Sequence, residues 1–108
     1  GFGEIGIGSK SYDNDVIIEG EKVISPWVRE DGHKLKKKDL EEVMDKDFNA
    51  LVIGTGMDGL MEVEDEVVKM LEEKGVEYYI QNSRDAAETY NDLVDNGKSA
   101  ALAIHVTC

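Results

Sequence analysis

Hydrophobic and polar positions alternate along this chain with two periods, and the switches between them mark its elements. Phe2, Ile5 and Ile7 stand among glycines, and Val16-Ile17-Ile18 faces Val23-Ile24 across Glu19-Gly20-Glu21-Lys22. Short β-branched runs joined through a glycine predict two or three short strands over residues 2–24, ending in a hairpin. Pro26 closes that section, and the stretch 25–35, "SPWVREDGHKL", reads as a connector. Asp39-Leu40-Glu41-Glu42 has capping-box spacing, which predicts a helix starting at Asp39. Its apolar stripe is Leu40, Val43 and Met44, and it dissolves near Asp47.

Beyond residue 49 the pattern becomes regular. Ala50–Ile53 is a continuous apolar run, as in a strand covered on both faces. Val63, Val67, Met70 and Leu71 recur at helical spacing, and Gly75 stops that helix. Glu77–Ile80 predicts a strand. Asn82 or Ser83 caps a third helix whose inner face is Ala86, Ala87, Tyr90, Leu93 and Val94, and Gly97 ends it before a last strand, Ala100–Val106. Alternating strands and helices predict an α/β fold with a mostly parallel sheet, the last strand included. One domain is expected: a β-hairpin unit (1–27), a connector and helix (28–49), and a β-α-β-α-β unit (50–108).

Composition narrows the function classes. At 108 residues the chain has room for a single modest core. Twenty-four acids against twelve bases leave a net charge of −12, a field that repels nucleic acid and anionic lipid. The one basic cluster, at residues 34–38, is answered at once by Asp39, Glu41 and Glu42. No apolar run approaches the ~18 residues of a membrane span, and no signal-peptide pattern opens the chain. Its first residue is Gly rather than Met, so a processed or engineered start is expected. A single cysteine, Cys108, forms no internal disulfide and fits a reduced, cytoplasmic compartment.

The segment Gly54-Thr55-Gly56-Met57-Asp58-Gly59 spells the G-x-G-x-x-G of a dinucleotide-binding turn. It follows a strand, as the motif requires. Its helix, however, starts nearer Glu64 than the third glycine, which moves the free N–H groups away from a pyrophosphate. The next strand ends Ile80-Gln81-Asn82, without the acid that takes a ribose hydroxyl. Asp58, Glu62, Glu64, Asp65 and Glu66 oppose an anion, and Leu60-Met61 stand where a phosphate loop needs Lys and Ser or Thr. A sharp strand exit is the favoured reading. The alternative is a small-ligand or nucleotide site of Gly54, Thr55, Gly56, Met57 and Asn91, with His33 as a further member.

Other chemistry is sparse. His105 and Cys108 lie three positions apart on an extended strand, ~10 Å and on opposite faces, which separates thiol from imidazole. Asp13-Asn14-Asp15 lacks the Gly and Glu of a calcium loop and reads as a polar bend. Trp27, Arg29, Glu30 and His33 form the most unusual cluster. They make either an exposed recognition patch or a tryptophan folded over the sheet with Arg29 bridged to an acid. No catalytic set, metal set or cofactor is expected, and the reading leans away from an enzyme.

Several short motifs carry a family likeness: "FGEIGI" with Tyr12 and Asp15, W-x-R-E-x-G-H from Trp27 to His33, "LVIGTGM", A-x-x-x-Y-N-x-L-V from Ala86 to Val94, and the terminal "HVTC". In order and over nearly the whole chain, they resemble the adipogenesis-associated domain proteins of animals and their archaeal and bacterial counterparts, and more distantly a mitochondrial complex I assembly factor. The resemblance implies a three-layer fold with a mixed central sheet, helices and an additional small N-terminal β-layer. It implies no catalytic residue or cofactor, and where members have a role it runs through protein partners. The expectation is therefore a non-catalytic interaction or assembly-type domain, monomeric or weakly dimeric, that binds protein and neither nucleic acid nor membrane.

Overall fold

The computed structural model describes residues 5–7, 10–12, 14–20, 22–27, 33–44 and 48–106. In chain order its strands are β1 (Ile5–Ile7), β2 (Lys10–Tyr12), β3 (Val16–Glu19), β4 (Lys22–Ile24), β5 (Lys34–Leu35), β6 (Ala50–Thr55), β7 (Glu62–Val63), β8 (Glu77–Gln81) and β9 (Ala100–His105). A 3₁₀ turn (Lys37–Leu40) leads into α1 (Glu41–Met44), and two longer helices, α2 (Asp65–Glu73) and α3 (Ser83–Asp95), alternate with the later strands.

The central sheet has the order β4-β3-β9-β6-β8. β9 and β8 both run parallel to β6, as alternation with helices predicts, whereas β3 runs antiparallel to β9. The sheet is thus mixed because the hairpin β3–β4 joins its edge. β1 and β2 form a separate antiparallel pair, the small N-terminal layer.

Period-2 alternation gives each central strand two buried faces. Val16, Ile18, Val52, Leu102 and Ile104 face a cluster with Ala86, Ala87, Tyr90 and Leu93 of α3, joined by Ile7 of β1. Ile17, Leu51, Ile53, Ala101 and Ala103 face the other side, toward Leu40, Val43, Val67, Met70 and Leu71. Each fully buried Ile, Leu or Val here contributes roughly 1.5–3 kcal/mol. Three layers result, with α3 and the small hairpin on one face and α1, α2 and the 3₁₀ turn on the other.

Both long helices stop by one device. Gly75 (φ +71°) and Gly97 (φ +78°) take the left-handed turn, after which Val76 N–H donates to the Leu71 carbonyl (3.0 Å) and Lys98 N–H to that of Leu93 (2.9 Å).

Four details differ from the sequence expectation. Val94, expected on the inner face of the third helix, is 46% exposed, and Val63, expected in the second helix's apolar repeat, lies in β7 before α2 starts. Helical winding begins at Lys37 rather than Asp39, because Asp39 is the acid of the first turn: its Oδ2 accepts the Lys36 backbone N–H at 2.9 Å. The stretch 25–35 is also not all connector. β5 pairs in parallel with β7, with the Glu62 N–H donating to the His33 carbonyl at 2.8 Å. The expected end of the first helix near Asp47 falls outside the described residues.

Candidate functional site

Parallel strands β9, β6 and β8 end on one side of the sheet, at His105, Thr55 and Gln81. The chain leaves β6 toward α2 on one face and leaves β8 toward α3 on the opposite face. Such a divergence opens the crevice where α/β sheets bind ligands. Here Ser83 bonds to the Gly56 backbone and Thr55 to the Gln81 carbonyl across the strand ends.

Ser83, fully buried at the start of α3, is the hub. Its Oγ accepts the Gly56 N–H at 2.8 Å and donates to the His105 carbonyl, tying the ends of β6 and β9 to α3. The Ser83 N–H donates back to the Gly56 carbonyl at 2.9 Å. Thr55 Oγ1 donates to the Gln81 carbonyl at 3.0 Å, closing β6 against β8. Ser83 is available for this task because Asn82 is the cap, its side chain accepting the Asp85 N–H.

The glycine loop is stitched to itself. Gly59 N–H donates to the Gly56 carbonyl (3.1 Å) and Met61 N–H to that of Thr55 (2.9 Å). Gly54 is required by space: a Cβ there would meet the Ile104 side chain and stand 2.9 Å from Ser83 Oγ. Of the candidate ligand residues, Gly54, Thr55, Gly56 and Met57 therefore gather at the strand ends. Asn91 does not join them, since eight residues of helix from Ser83 place it about 12 Å along α3.

A second constellation lies beside the first. Asp15 Oδ2 sits 2.8 Å from His105 Nδ1, its Oδ1 accepts the Val106 N–H at 2.8 Å, and its carbonyl accepts the Trp27 N–H at 2.8 Å. Trp27 is only 4% exposed, and its Nε1 donates to the Asp39 carbonyl at 3.2 Å. Of its two alternatives, the tryptophan takes the one folded over the sheet, because its large apolar surface fills the cluster with Leu35, Leu40 and Val43. His33 is exposed at the surface, whereas Arg29, Glu30 and Cys108 lie outside the described residues.

The sequence reading missed the roles of Ser83 and Asp15. The only signal for Ser83 was its place directly after a better capping residue, and for Asp15 its place in a polar bend just before a buried strand. Among the described residues no group of three His, Cys, Asp or Glu side chains gathers where a metal could be held, and no described helix is long and apolar enough to cross a membrane.

Solved structures share this architecture. The conserved hypothetical protein PH1505 from Pyrococcus horikoshii OT3 is 26% identical, with a TM-score of 0.75 over 100% of this chain and 95% of that one. A chain described as an outer membrane protein from Bartonella henselae is 20% identical, with a TM-score of 0.80 over 100% and 91%. A Mth938-like domain from Bordetella pertussis is 18% identical, with a TM-score of 0.65 over 98% and 82%. The last two likenesses speak for the fold alone. Residues 1–105 match the family described as Protein of unknown function (DUF498/DUF598), and the chain belongs to that family.

Proposed function

We propose that this chain is a non-catalytic protein-interaction or assembly-type domain of the cytoplasm, monomeric or weakly dimeric on its own. One observation carries the reading: the end of β6 and β8 is crossed by the fold's own hydrogen bonds, Ser83 with the Gly56 backbone and the Thr55 hydroxyl with the Gln81 carbonyl. The Gly56 and Gly59 amides of the loop are engaged inside the fold, and Asp58 adds negative charge at the tip. Leu60, by contrast, is 64% exposed on that stitched loop, an apolar group held in place for contact. The likeness to the adipogenesis-associated domain proteins, whose described roles run through protein partners, supports the same reading, and a lone cysteine in an acidic chain supports the compartment.

Two measurements test it together. A thermal-shift screen of nucleotides and small metabolites is expected to stay flat, since a ligand at 100 times its Kd would add ~2.7 kcal/mol. Affinity capture from the host lysate is expected to retain partners that an acidic control protein of equal charge does not. A nucleotide that raises the melting temperature would replace this reading with a ligand site of Gly54, Thr55, Gly56 and Met57.

A further inference from the structure

The central sheet has two edges, and they are built differently. β4, at one end, is three residues long, contains Lys22 and runs into Pro26, the devices by which edge strands avoid added pairing. β8, at the other end, is five residues long ("EYYIQ") and has neither lysine nor proline. Among the described residues no strand pairs with its outer side.

The direction of its backbone groups follows from the bonds on its inner side. The Glu77 N–H donates to the Asn49 carbonyl and the Gln81 carbonyl accepts from Thr55, so the odd-numbered residues turn toward β6. By strand alternation the N–H and C=O of Tyr78 and Ile80 point off the edge. Ile80 is 40% exposed and shares the α2 side of the strand with Tyr78. The loop bearing Leu60 inserts Met61 on that same side, and a Cβ on Gly59 would lie 3.9 Å from Asn82, just past the end of β8. An apolar anchor thus stands at the carboxyl end of an open strand.

We infer that β8 accepts an extended segment of a partner protein as a sixth strand, with a β-branched centre and basic flanks. This deepens the interaction reading and rests on it. Charge selects the occupant: exposed Glu72, Glu73 and Glu77 border the start of β8, and Asp58 and Glu62 flank Leu60, against Lys74 and Arg84. A second copy would bring another net charge of −12 to the same edge, whereas lysines and arginines flanking an incoming strand meet carboxylates.

The test uses the full chain, ¹⁵N-labelled, with nine-residue peptides of one alternating Val/Thr core carrying either Lys-Arg or Glu ends. The basic peptide is expected to slow amide exchange at Tyr78 and Ile80 and to shift the Leu60 resonance, and the acidic one to do neither. Ile80→Pro deletes an outward N–H without touching the β6 ladder, and is expected to weaken the basic peptide about tenfold. Ile80→Lys, which keeps the N–H, checks the same edge by charge should the proline variant lose its fold. Protection mapping to another surface, equal binding of both peptides, or concentration-dependent dimerisation through Tyr78 and Ile80 overturns the inference. Host partners that still bind the Ile80→Pro chain would remove this edge while leaving the broader interaction reading intact.

Discussion

Asp15 grips the end of β9 with both oxygens of one carboxylate, Oδ2 at 2.8 Å from the His105 ring Nδ1 and Oδ1 accepting the Val106 N–H at 2.8 Å. The pair joins the start of β3 to the end of β9, 90 residues away in sequence. Hydrogen bonds to a charged acceptor contribute about 1.5–3 kcal/mol. Asp15→Ala is therefore expected to lower the urea midpoint by an amount equivalent to about 2 kcal/mol, with an unchanged slope. Asp15→Asn keeps an acceptor for Val106 and should recover part of the loss. An alanine variant as stable as the parent would show that the grip contributes nothing.

Gly54 is fixed by neighbours rather than by backbone angle. Its α-hydrogen faces Ile104 and Ser83 Oγ where a methyl group has no room. Gly54→Ala should cost about 1–3 kcal/mol, the usual cost of overfilling a core, and should cost less in an Ile104→Ala chain, which lacks the Cγ1 that the added methyl would meet first. Gly6, with nothing within 4 Å of a built Cβ, is the control: Gly6→Ala should change the melting temperature little.

Ser83→Ala removes one hydroxyl that serves two buried groups, the Gly56 N–H and the His105 carbonyl. Leaving such groups unsatisfied costs about 1–3 kcal/mol. Hydrogen exchange should show the Gly56 amide losing protection first. If that amide stays protected while stability drops, the loop is held by something other than Ser83.

Alkaline pH should expose Tyr90. Its phenol is pushed above the ordinary value of 10.0 by burial, with Tyr12 and Glu19 adding to the effect. The unfolded chain therefore loses this proton first as pH rises. The contribution of the neutral phenol is full below pH 10.0 and declines from there up through the raised folded pKa. Chemical denaturation from about pH 9 to about pH 11 should show stability falling, with a shallower fall in Tyr90→Phe. Equal slopes in both chains would mean that Tyr90 ionises no later when folded.

The strand-helix alternation from Ala50 to His105 could be read directly from spacing, because each element is local: period 2 or 3.6, with Gly75 and Gly97 as stops. The N-terminal part could be read only as strands. Which sheet each joined was decided by pairing with distant residues, so that Ile17 lies beside Ala103 and makes the sheet mixed. The two-residue strands β5 and β7 carry no periodic signal at all, since two residues cannot show a period.

At the candidate site the same division holds. Sequence alone determined that Gly54–Gly59 is a bend among carboxylates with no lysine to balance a phosphate. Tertiary structure decided that Ser83 ties the glycine loop to the end of β9, that Trp27 turns inward, and that the Tyr78 and Ile80 amides point away from β6. Those outcomes depend on groups such as Trp27 and Asp39, 12 residues apart, or Gly56 and Ser83, 27 apart, and a pattern of neighbours carries no information about contacts that only the closed sheet creates.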